Sequence, residues 1–114
     1  MKIDAFSKLK SIAEGLNIPA YPDIYRGGQH EVWATYTLED ITADAVSDNL
    51  PRQFTDFVQL SIYMPINRNY LETIIQVREA MMAAGFCGIE TSTDIEEDQE
   101  IRRILFRAKI SEEE

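Results

Sequence analysis

The stretch "DFVQLSIYMPINRNYLETIIQVREAMMAAGF", residues 56–86, changes its apolar period once. Val58, Leu60, Ile62 and Met64 alternate with Gln59, Ser61 and Tyr63, the two-residue period of a strand with one apolar face. After "PINRN" the period lengthens. Tyr70, Leu71, Ile74, Ile75, Val77, Met81 and Met82 make a broad helical stripe that leaves Glu72, Gln76 and Glu79 outside. Asn69 and Glu72 have the spacing of a capping box, and Gly85 supplies the left-handed residue that commonly ends a helix. A strand joined to a helix in this way is a scaffold unit, because each element carries one apolar side that must be buried.

Working outward, "EVWATYTL" (31–38) predicts a second strand, with Val32, Ala34, Tyr36 and Leu38 on one face. "IRRILFRAKI" (101–110) predicts a last one, with Ile104, Phe106, Ala108 and Ile110 inward and Arg103, Leu105, Arg107 and Lys109 outward. "FCGIETST" alternates weakly through Cys87, Ile89 and Thr91, and Cys87 reads as a small buried side chain. Residues 4–15 predict a first helix through Phe6, Leu9, Ile12, Ala13 and Leu16, with Asp4 as N-cap and Gly15 as stop. A short strand fits around Asp23–Tyr25. The order predicts an α+β domain spanning residues 1–114, a small antiparallel or mixed sheet of four to five strands with two helices packed on one face.

Trp33, Phe57 and Tyr63 fall on the weaker faces of their strands, where a sheet covered on one side only carries more charge. Either another subunit or a loop of the same chain covers them. Residues 39–53, "EDITADAVSDNLPRQ", form a long connection containing Asp44, Asp48 and Arg52, either a solvated loop or a contact arm. "DIEEDQE" (94–100) holds Asp94, Glu96, Glu97 and Asp98 and reads as an exposed turn, and residues 111–114 read as a frayed tail.

Composition narrows the function. The formal net charge of −9 disfavours free nucleic acid as a ligand, since phosphate binding rests on Lys and Arg. It suits either plain solubility or a protein that stands near DNA without adhering. One cysteine excludes an internal disulfide, and one histidine excludes a site that needs two imidazoles. The first residues, "MKIDAFSKLK", have no hydrophobic signal core, and no apolar run approaches the roughly 20 residues of a membrane helix. The expectation is a protein kept inside a cell, or released by lysis, without a membrane partner.

His30 stands alone in "GGQHEVW", without a nucleophile motif, and Gly27–Gly28 is followed by no lysine, so it is a turn and not a phosphate loop. No calcium-loop pattern occurs in "DIEEDQE". The reading is of a non-enzyme with no cofactor and no metal. Arg103, Arg107 and Lys109 on one strand face, set against a surplus of acids, are candidates to pair one copy with the next, and identical copies joined head to tail can close into a ring.

In order and texture, residues 17–110 resemble the tail terminator or tail completion proteins of long-tailed bacteriophages and prophages. The pieces that carry the resemblance are Ile18-Pro19, Tyr36, Asp48, Val58-Gln59-Leu60, Tyr70-Leu71 and Ala84-Gly85-Phe86. The chain departs from the pattern at "NLPRQFTDF" (49–57), where a tyrosine-rich approach to the strand is usual. The resemblance implies a structural virion protein at the head-proximal end of the tail, assembled in the host cytoplasm. It implies a hexameric ring that caps the tail tube, stops its polymerisation and presents the head-docking surface. Partners would be other copies, the tail tube protein and head–tail connector proteins, with DNA passing through unbound. By the same analogy Asp44, Asp48, Asp94, Glu96, Glu97 and Asp98 are candidates for lumen or docking surfaces. A neighbouring head–tail connector protein, a small cytoplasmic ligand-binding module, and an acidic enzyme using a divalent metal are the competing readings.

Overall fold

The computed structural model describes residues 4–25, 31–43 and 53–113. The elements follow as α1 (Ala5–Gly15), β1 (Ala20–Pro22), β2 (Trp33–Ala43), β3 (Gln53–Pro65), α2 (Tyr70–Ala83), β4 (Cys87–Glu96), a short 3₁₀ turn (Glu97–Gln99) and β5 (Ile101–Glu113). The five strands form one mixed sheet in the order β1-β2-β3-β5-β4, with β1 parallel to β2 and the other pairs antiparallel. This is the expected α+β architecture with two helices.

The alternation of β3 and β5 translates directly into burial. Val58, Leu60, Ile62 and Met64 on β3, and Ile104, Phe106, Ala108 and Ile110 on β5, are all buried. Leu9, Ile12 and Ala13 of α1 and Val77 and Met81 of α2 join them in one core cluster. On β2, Ala34 and Tyr36 are core residues, while Leu38, and Val32 just before the strand, pack against the core partly buried. Tyr36 also meets Phe6 of α1 edge to face, centroids 5.2 Å apart. Asp56, fully buried, sits on the same inward face of β3 between Ile41 and Ile110.

Helix α2 ends as its sequence requires. Gly85 has φ 101°, and the chain closes with Gly85 N–H donating to the Met82 carbonyl and Phe86 N–H to the Met81 carbonyl. At its start the Glu72 amide donates to Asn69 Oδ1 at 3.4 Å. Helix α1 starts after Asp4 and ends at Gly15, as expected. Asp4 occupies the N-cap position without a side-chain cap bond, and the left-handed residue past the helix is Asn17, φ 62°.

Several boundaries move. The short strand is Ala20–Pro22, not Asp23–Tyr25, because Asp23 turns left-handed with φ 61° and breaks the extended run. β2 continues through Ala43, past a bulge between Leu38 and Asp40, so residues 39–43 are strand, not loop. At the other end of that connection Gln53 already belongs to β3. The 94–100 segment is a turn only from Glu97 onward, since Asp94–Glu96 still pair with β5. Residues 111–113 are not frayed; they complete β5 against Gln53–Thr55 of β3. Strands this long draw the molecule out to 54 × 26 × 23 Å.

Candidate assembly surfaces

Both helices contribute to the core on one side of the sheet, which leaves the other side to the outward positions of the strands. Pairing register fixes what stands there. Trp33, Tyr63, Arg103 and Asp94 form one row across β2, β3, β5 and β4; Thr35, Ser61, Leu105 and Ser92 form the next; Thr37, Gln59, Arg107 and Glu90 the third. Arg103 donates to Ser61 Oγ from Nε at 3.3 Å and Nη2 at 3.2 Å, which lays its guanidinium along the sheet. Arg107 Nε lies 3.9 Å from Glu39 Oε2, an exposed pair that contributes about 0–1 kcal/mol.

This face has two unlike ends. At one, an open cleft of about 520 Å³ is lined by Glu39, Asp40, Phe57, Glu90, Arg107 and Lys109, charges of both signs around one aromatic ring. At the other, Tyr21, Tyr25, Trp33 and Tyr63 stack in a continuous row, the Trp33 and Tyr63 rings 5.2 Å apart and 12° from parallel. Tyr25 reaches Trp33 from the segment after β1, so a loop of the same chain covers the aromatics of the weaker face there. A cleft of about 220 Å³ beside them carries Asp23 and Glu96. Tyrosine and tryptophan in such numbers are typical of protein-binding surfaces.

Of the residues singled out in the sequence, Arg103 and Arg107 do share this face, and the register sets Arg103 opposite Asp94. Asp94, Glu96, Glu97 and Asp98 are exposed around the β4–β5 turn. Asp44, Asp48, Arg52 and His30 lie outside the described residues. Among the described residues, Glu39 and Asp40 are not brought together with the acids of the β4–β5 turn. Pro65, Ile101 and Glu96 mark one end of the sheet, and the β2–β3 connection leaves from the other. Cys87 is exposed, not buried, because it pairs with Lys109 on the outward face.

Two features escaped the sequence reading. Arg102 falls on the helix side of β5 and lays its guanidinium 3.8 Å from the centroid of the Tyr70 ring. Leu71, Ile75 and Met82, expected in the core stripe of α2, are 60, 58 and 56% exposed. Among the described residues no group of three or more His, Cys, Asp or Glu could hold a metal ion, and no helix is long and apolar enough to cross a membrane.

The fold has a counterpart among solved structures. A chain of the virion of a native gene transfer agent (GTA) particle is similar over 94% of this chain and 91% of its own length, with a TM-score of 0.55 and 16% identity. At that identity the likeness is one of fold. No family model matches the sequence, and no curated protein does.

Proposed function

We propose that this chain is a structural virion protein, the subunit of a ring that caps the tail tube of a long-tailed bacteriophage or prophage particle, stops tube growth and forms the head-docking surface. The observation that carries the reading is the near full-length likeness in fold to a chain of a virion, in a sequence whose order of elements resembles tail terminators. The geometry supports it. Glu39 and Asp40 towards one end of the sheet and Asp94–Asp98 at the other, with Arg103 and Arg107 on β5, give a subunit unlike surfaces of the kind that head-to-tail contacts need. A surplus of acids, −9 per copy, would let DNA pass through a lumen without binding.

Deleting the gene from its prophage and imaging the lysate by negative-stain electron microscopy tests this. The expected result is overlong tubes beside filled, tailless heads. Tubes of normal length beside unattached heads would make the chain a connector protein instead, and intact particles would remove the virion-assembly role. Within the same assay, Asp48→Lys is expected to leave the purified protein folded by circular dichroism but to cut particle yield. Wild-type yield from that variant would take the β2–β3 connection out of the contacts.

A further inference from the structure

The flank of α2 that carries the unexpected apolar trio has a definite place. At 100° per residue Leu71, Ile75, Arg78 and Met82 fall on one narrow stripe, well away from Val77 and Met81, which face the core. Arg78 fixes where that stripe points, because its Nη1 donates to the Ile89 carbonyl at 3.0 Å and to Thr91 Oγ1 at 2.8 Å, both on β4. Strand β4 is the last of the sheet, so the stripe overhangs an edge. Below it, the helix-facing positions of β4 are Thr91, Thr93 and Ile95, the last 46% exposed. Edge strands are commonly blocked by an inward-pointing charge. The Arg78 guanidinium stands over the Thr91 end, no charge stands at Thr93 or Ile95, and the bulge between Cys87 and Glu90 leaves Glu90–Glu96 as a regular run.

This flank of α2 thus stands exposed on the β4 side of the helix layer. Charge says what fits beneath it. The outward positions of that run are Glu90, Ser92, Asp94 and Glu96, and its inner neighbour answers with Arg107 opposite Glu90 and Arg103 opposite Asp94. A strand added on the outer side meets the same acids and the same apolar overhang. Another copy of this chain is a poor occupant. Its own β4 would set acid against acid, and the outward edge of β2 beyond Tyr36 carries Glu39 and Asp40.

We infer that the β4 edge and the overhanging flank of α2 form a docking groove for an extended segment of a different protein, one that alternates apolar with lysine or arginine side chains and adds as a sixth strand. Main-chain pairing supplies the affinity, Leu71, Ile75 and Ile95 receive the apolar positions, and the β4 acids select the basic ones. This stands apart from the tail reading and needs no ring.

Two nine-residue peptides test it, one alternating lysine with valine and one alternating glutamate with valine, titrated into ¹⁵N-labelled protein with amide hydrogen exchange as readout. The lysine peptide is expected to slow exchange several-fold at those amides of Glu90–Glu96 that point away from β5, and the glutamate peptide to leave them unchanged. Ile75→Gln, a neutral change at an exposed position, is expected to weaken the lysine peptide about tenfold, and Asp94→Asn several-fold, with added salt acting in the same direction. Equal effects of the two peptides, protection elsewhere, no protection, or no loss in Ile75→Gln would each overturn the groove. Protection of the same amides by concentrating the protein alone would overturn the choice of occupant and install a second copy.

Discussion

Phe106→Ala is expected to remove about 3–5 kcal/mol of stability, a large part of the 5–15 kcal/mol typical of a domain. Phe106 is among the largest fully buried side chains and lies on β5, between Leu60 on β3 and Thr91 on β4. With strands on both sides, its neighbours can move little into the space, so truncation leaves a cavity with its lost contacts. Thermal unfolding should show a fall in Tm of roughly 10–25 °C. The matched comparison is Leu71→Ala, where 60% exposure confines the cost to about 0.5 kcal/mol. A comparable loss at both positions would mean that the outer flank of α2 is covered in the isolated chain.

Gly85→Val is expected to cost about 1–3 kcal/mol, at the upper end of that range because valine is β-branched. Space is not the cause. A Cβ built at Gly85 meets only Ile110 Cδ1, at an ordinary 3.6 Å. The cost comes from φ 101°, which an L side chain rarely adopts, and which holds the two amide-to-carbonyl bonds that close α2. Urea denaturation should show the midpoint reduced with the slope retained. Gly85→Ala is expected to fall short of the valine variant. A midpoint unchanged in both would mean that the turn can be remade without a left-handed residue.

How far the sequence could be read depended on whether a property is local. The inward faces of β3 and β5 held residue by residue, because a strand's alternation depends only on its own chain. The Gly85 closure held for the same reason. Cys87 failed for a non-local reason, since its side follows from pairing with Lys109, twenty-two positions away in sequence. The candidate surfaces divide likewise. Arg103 and Arg107 were visible as an outward row, whereas their neighbours Asp94, Glu90 and Glu39 are set by register between strands.

By itself the sequence determined the kinds of element, their order, and the apolar side of each strand, because a period of two or 3.6 residues is written into the chain. It also determined an acidic surface without paired imidazoles. Only the tertiary structure decided that β5 slots between β3 and β4, making β4 an edge. That choice explains why the stripe of α2 read wider than its buried part. Periodicity gives the direction of an apolar face, but how much of it is covered depends on how many strands lie beneath. Here the flank of α2 on the side of the β4 edge is left uncovered.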